Sequence, residues 1–329
     1  MKLLVTGAAG FIGSHLCEAA LARGLEVVGV DSFDPGYSRE LKQENLACVQ
    51  RASGRFTFVE ADVRDPRLAA LLPPLATGDA VVHLAARSVA RESIDQPAAY
   101  LDINVNGTLN VLELARNAGV RRFVLAGTCL VYRGLDDGPR TEDDPADEPQ
   151  TPYAVSKRAA ELLCHSYHRL HGIDVTCLRF FAVYGPRQRP DMALFKFAEQ
   201  MRAGREIALF DQGKAVRDFA FVDDVTSGIL AAVERANGYR VYNLGHGRPY
   251  SMAELVGTLE RALGCSARTA LHPAQPGDPR VLYASVERAE RELGYRPVVD
   301  LEVGVGRFAN WYLARPTRNV LADRGLPGS

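Results

Sequence analysis

TGAAGFIGSHL, residues 6–16, joins a short apolar run to a helical one. KLLVT (2–6) reads as a buried strand, and residues 13–23 read as the helix that follows. Gly7, Gly10 and Gly13 punctuate the junction as GxxGxxG, with Phe11 and Ile12 opening the helix. Glycines at such a turn let the backbone approach a pyrophosphate, which then rests on the N–H groups of the helix start. Glycine triplets are common at turns, so the spacing needs a second signal. Asp31 supplies it. It ends the strand EVVGVD (26–31), about 20 residues beyond the glycines, where a carboxylate accepts ribose hydroxyls. An acid there disfavours a 2′-phosphate, so the expected cofactor is NAD rather than NADP.

Working outward, FTFVEA (56–61), DAVVHLA (79–85), RFVLAGT (122–128) and DVTCLRF (174–180) read as further buried strands, separated by helices such as 98–118 and 152–171. This alternation predicts an α/β fold, a doubly wound parallel sheet with helices on both faces. Past about residue 180 the pattern loosens. A loop and helix (186–203) precede REIALF (205–210), RDFAFVDD (217–224), a helix to about 236, VYNLG (241–245) and a helix 251–263. The expected division is a dinucleotide-binding domain over 1–180, to which 215–245 returns. A smaller C-terminal substrate-binding lobe takes 181–214 and 246–315, and 316–329 forms a tail.

The chain has 329 residues, 47% hydrophobic and 24% charged, with a net charge of −1. That balance carries no electrostatic footprint for nucleic acid or a membrane surface, and no apolar run approaches a membrane span. The six cysteines show no CxxC pair and no metal-like spacing with His, so no metal is expected. The chain opens directly on a strand, and the expectation is a cytoplasmic protein.

Chemistry concentrates in TPYAVSKRAAELL (151–163). Thr151 reads as an N-cap and Pro152 as the first helical residue, which sets Tyr153 and Lys157 one turn apart on one face. An ordinary tyrosine, with a pKa near ~10, is a poor base at neutral pH. A nearby cation, a positive nicotinamide and the helix N-terminus would favour the phenolate. Many helices hold an incidental Tyr/Lys pair; Thr128, at the carboxyl end of the fifth strand, decides the reading. Gly7, Asp31, Asp62, Ala85 and Thr128 all fall at strand carboxyl ends, where a doubly wound sheet binds its ligands. Asp62, with Val63 beside it, is placed to meet the adenine, although a helix N-cap reads equally well. Leu84, Ala85 and Ala86 would let a cofactor lie close, and His83 reads as a core histidine.

With these motifs in order, the sequence resembles the extended short-chain dehydrogenase/reductase family, the NAD-dependent epimerases and dehydratases, and among them the nucleotide-sugar 4-epimerases. TGAAGFIGSHL, HLAA, NVNGTLNVL (104–112), YAVSK and RDFAFVDDV (217–225) carry the resemblance over nearly the whole chain. It implies a Rossmann fold, an NAD site that includes Asn104, and a catalytic set on Thr128, Tyr153 and Lys157. Tyr153 would take the sugar O4 proton while hydride passes from C4 to NAD+, and hydride would return to the other face of the 4-keto sugar. RFFAVYGPRQRPDMALF (179–195) and ARESI (90–94) are similar to stretches of UDP-glucuronate 4-epimerases. That implies a substrate site on Arg91, Thr128, Ala182, Arg189, Arg217 and Arg280. Arg189 would recognise the sugar carboxylate and the last two would meet the diphosphate. Arg187 reads as a solvated surface charge.

Two departures from the family pattern stand out. Ala182 replaces a Thr, and AGTCLVYR (126–133) replaces a serine-rich stretch, bringing Cys129, Leu130 and Arg133. Neither Cys129 nor Leu130 can act as the acid that dehydratases and decarboxylases place after the catalytic Thr. The expected reaction is therefore UDP-glucuronate to UDP-galacturonate. The alternatives are a UDP-glucose/galactose-type 4-epimerase, a UDP-glucuronate decarboxylase and, from another class, a non-catalytic NAD-sensing protein. Surplus apolar residues on helices 98–118 and 152–171 imply, by the same resemblance, a homodimer.

Overall fold

A computed structural model describes residues 1–132, 138–274 and 280–315. Arg133 and the expected tail 316–329 lie outside the described residues. Seven parallel strands form the main sheet: β1 (Lys2–Thr6), β2 (Glu26–Asp31), β3 (Phe56–Glu60), β4 (Ala80–His83), β5 (Arg122–Thr128), β6 (Asp174–Phe180) and a late strand, β10 (Tyr239–Leu244). Their order is β10-β6-β5-β4-β1-β2-β3. The chain winds outward from β1 to β3, then returns to β4 on the other side of β1. The carboxyl ends of β1 and β4 therefore flank the point where the winding direction reverses, the crevice where such sheets bind ligands.

Successive residues of β1 face opposite sides of the sheet. Leu3 and Val5 join one core with Leu16, Ala20 and the helix Val222–Glu234, and Leu4 joins the other with Val111, Leu112 and Ala160. The six early strands coincide closely with the apolar runs, because a strand covered on both faces must be apolar throughout.

The second half departs from the expected division. Four short strands form a separate sheet: β7 (Ala182–Tyr184), β9 (Val216–Phe221), β11 (Pro249–Ser251) and β13 (Val281–Leu282). A further pair, β8 (Glu206–Leu209) and β12 (Arg268–Leu271), forms a separate two-stranded parallel sheet. Within 215–245, β9 belongs to the small sheet, paired with β7, and only the helix Val222–Glu234 and β10 rejoin the main body. Helix 98–118 is also interrupted. Pro97–Leu101 and Gly107–Asn117 are α-helical, and Asp102–Asn106 forms a wider π-helical turn between them. No helix among the described residues is long and apolar enough to cross a membrane.

Candidate active site

One cavity of about 440 Å³ opens over the carboxyl ends of β1, β2, β4 and β5. Gly7, Gly10, Phe11, Ile12 and Gly13 form its floor, and the helix Phe11–Ala22 starts there with no side-chain cap. The first N–H groups of a helix have no partner within it, so an uncapped start facing a cavity suits an anion. Gly7 takes φ +73°, and a Cβ on it would lie 2.9 Å from the Ala85 backbone nitrogen. A Cβ on Gly13 would lie 2.0 Å from the Gly7 carbonyl oxygen. Only glycine permits this helix to meet this turn.

Asp31 stands at the end of β2. Its carboxylate accepts from the Ala9 N–H (3.2 Å) and the Phe33 N–H (2.8 Å) and lies 3.5 Å from the Lys42 ammonium. A carboxylate has room for further hydrogen bonds beyond these. These residues fit a dinucleotide with its diphosphate on the helix start and its ribose at Asp31. Lys42 escaped the sequence reading, since a lone Lys within a polar helix gives no periodic or motif signal. Asp62 lines the same cavity, but Arg64 grips it through both guanidinium and backbone N–H, and the next helix begins only at Leu68. It therefore caps a local turn instead of a helix. Val63, Leu84, Ala85 and Ala86 complete this wall.

Thr128, Tyr153 and Lys157 face the cavity together. The helix Pro152–His171 starts as its sequence predicts: the Thr151 hydroxyl accepts the Ala154 N–H at 3.2 Å, with Pro152 in the first turn. Ser93 supplies a second anchor, its hydroxyl accepting the Tyr153 N–H at 3.0 Å. Burial pushes the Tyr153 phenol up to about 12, opposed by its hydrogen bond to Thr128 and by the Arg189 charge. Burial also lowers Lys157 to about 8, opposed by the Glu161 carboxylate below it. Among the protein's own groups, then, desolvation outweighs the forces expected to favour the phenolate. His83 sits in the core between Thr6 (2.7 Å) and Thr108 (3.1 Å), and burial holds it down at about 3.

The substrate candidates divide. Ala182, Arg189 and Arg217 line the cavity, together with Ser88, Cys129 and Leu130. Arg91 and Arg280 do not, and neither does Asn104, which was expected at the cofactor. Arg91 is exposed, and Arg280 is exposed 3.7 Å from Asp211. Asn104 is buried in the π-helical turn, where it binds both the N–H and C=O of Arg87 and donates to the Ser156 hydroxyl. It ties the loop after β4 to the helix that carries Tyr153. Arg187 is no solvated surface charge: its guanidinium is largely buried and pairs with Glu18 on the first helix. That pair links the loop 185–192 to the glycine-turn helix, a contact invisible in sequence because its partners lie far apart along the chain.

The profile of the NAD dependent epimerase/dehydratase family matches residues 3–245, the stretch that supplies all of the cavity lining except Leu282. The chain belongs to that family. Among curated members, it is 38% identical to a probable UDP-glucuronate 4-epimerase of Rhizobium meliloti, over 95% of this chain and 97% of the relative. It is also 38% identical to a UDP-glucuronate 4-epimerase of Thermodesulfobacterium geofontis, over 94% and 95%. A crystal structure of UDP-glucuronic acid 4-epimerase from Bacillus cereus with UDP-glucuronic acid and NAD superposes with a TM-score of 0.88. It is 36% identical, with 94% of this chain and 98% of that one covered. The protein is thus an NAD-dependent member of the family.

Proposed function

We propose that the protein is an NAD-dependent C4 epimerase that interconverts UDP-glucuronate and UDP-galacturonate. The observation that carries this is the meeting of Thr128, Tyr153 and Lys157 with the glycine turn and Arg189 around one cavity. NAD+, when bound, supplies a hydride acceptor. Tyr153 takes the proton of the sugar O4, and Thr128 shares that hydrogen bond. The Lys157 ammonium and the helix start at Pro152 favour the anionic phenol. A helix terminus contributes up to about 1 kcal/mol in such a position. Burial of the phenol makes that help necessary, and it also keeps water away from the reacting carbon. Arg189 orients the sugar, and we assign the diphosphate to Arg217, with Arg91 and Arg280 outside the cavity lining.

Incubating the NAD-loaded protein with UDP-glucuronate and following anomeric proton signals by NMR tests this. A mixture with UDP-galacturonate is the expected result. Unchanged substrate, or a UDP-pentose with release of CO2, removes the reading.

We also infer a homodimer in the cytoplasm. Ile94, Leu101, Leu109, Val155 and Leu162 are exposed on neighbouring helical segments, an apolar face suited to a second copy. A monomer mass by sedimentation at micromolar concentration would contradict it. All six cysteines are free, as suits a reducing compartment.

A further inference from the structure

Tyr153, Lys157 and Glu161 follow at four-residue steps along the helix Pro152–His171, so they lie on successive turns of one face. Tyr153 and Lys157 line the cavity, and Glu161 does not. It is fully buried beneath them, and Lys157 is only 3% exposed. An ammonium group withdrawn from water gives up its proton readily unless a fixed negative charge stands near. The groups coupled to Lys157 are Glu161 and Cys164 on its own helix, Cys177 on β6 and His83 on β4. Glu161 is the one carboxylate among these four. Carboxylates on other segments packed against this helix are engaged elsewhere: Glu92 near Arg87, Asp102 with Arg64, and Glu113 with Tyr167 toward the far end of the helix.

Glu161 is itself held in its ionised form. Arg179, on β6, donates through Nε (3.0 Å) and Nη2 (2.9 Å) to its two oxygens, and Arg158 adds a bond at 2.8 Å. Arg179 is buried too, its guanidinium carbon 4.7 Å from the centroid of the Tyr132 ring. A forked pair of this kind keeps its carboxylate charged and fixed in place. A lone buried ammonium and carboxylate can escape the cost of burial by neutralising, one proton passing between them. The arginines close that route: Glu161 cannot accept the proton, so it stays on Lys157. The charges that reach Lys157 include that of Glu161 and neither arginine's.

We infer that Glu161, clamped by Arg179, is the positioning residue that keeps Lys157 protonated in its dry site and so sets the upper pH at which the protein turns over its substrate. Glu161 touches no reacting atom. It acts through Lys157, whose ammonium favours the anionic Tyr153 phenol, and the inference rests on the reading of Thr128, Tyr153 and Lys157 as the reacting set. Burial brings Lys157 down to about 8 even against the pull of Glu161, which leaves the ammonium little margin at neutral pH. Protonated Lys157 is present below its midpoint and lost as pH rises through it. Removing the carboxylate brings that loss to lower pH.

The test is a titration of Lys157 itself by NMR in the NAD-loaded protein. The chain has five lysines, Lys2, Lys42, Lys157, Lys196 and Lys214, so isotope labelling at the lysine Cε gives few signals. The signal lost in Lys157→Arg belongs to Lys157. Glu161→Gln is expected to lower the midpoint by about one pH unit or more, a tenfold loss of proton affinity, as removal of a unit charge one turn away does at an effective dielectric constant of about 20. Glu161→Asp keeps the charge and is expected to lower it by less than half as much. The alkaline limb of kcat/KM for UDP-glucuronate moves with the midpoint. A carboxylate that only supports the fold would depress turnover at every pH and leave the midpoint in place. An unmoved midpoint in Glu161→Gln, or a limb that stays while the midpoint falls, overturns the inference. If Glu161→Gln does not accumulate as folded protein, combining it with Arg179→Gln exchanges the buried pair for neutral hydrogen-bonding side chains and carries the same expected sign. Should the wild type leave UDP-glucuronate unchanged, the epimerase reading fails by itself. The midpoints alone then decide whether Glu161 holds the proton on Lys157.

Discussion

Tyr153→Phe lowers kcat by at least about a hundredfold and leaves the bound NAD in place. General acid–base groups contribute roughly 10²–10⁴ to a rate, and this hydroxyl is the titratable group that shares a hydrogen bond with Thr128 at the cavity wall. Phe keeps the ring against Tyr100 (6.2 Å between centroids, edge to face), so the helix start and the cofactor pocket keep their shape. The variant separates binding from chemistry. NAD released on denaturation gives the first, and NMR turnover gives the second. Turnover within a few-fold of wild type would mean that another group moves the proton.

Gly13→Ala weakens the binding of NAD by about tenfold to a hundredfold. The added Cβ would stand 2.0 Å from the Gly7 carbonyl oxygen, which is backbone and cannot rotate away. Either the helix slides outward or the turn opens. Both displace the uncapped N–H groups from the place where a diphosphate would sit. Overpacking of this kind costs about 1–3 kcal/mol. If all of that falls on binding, affinity for NAD drops by about tenfold to a hundredfold. Fluorescence titration with NAD measures it, and an unchanged dissociation constant would place the diphosphate elsewhere. Gly24→Ala is a useful comparison: φ is +77° at that glycine, so the backbone is strained, but nothing lies within 4 Å of the added carbon, so it loses stability without losing NAD.

How much of this was legible beforehand differs by region. The glycine turn, the acid ending β2 and the Tyr/Lys pair on a Pro-started helix are local. Each depends on residues close together along the chain, and each appears where its pattern put it. The π-helical turn was missed because its cause is distant. Asn104 is held by Arg87 and Ser156, and no periodicity announces that capture. The small sheet was missed because β7, β11 and β13 are only two or three residues long, too short to show a period. Lys42 and Ser88 reach the cavity from a polar helix and a loop, without a motif around them.

Sequence alone determined the doubly wound sheet, the family and the placing of Thr128, Tyr153 and Lys157 at one cavity, because strand burial, turn chemistry and helix spacing act over a few residues. Only the tertiary structure decided the electrostatic state of the site. Whether Tyr153 is raised or lowered depends on how much water the surrounding chain excludes. Whether Arg187 and Arg189 face solvent, Glu18 or Asp191 depends on which carboxylates folding brings within about 3 Å. Charge interactions are set by separation and burial, and neither can be read along a chain.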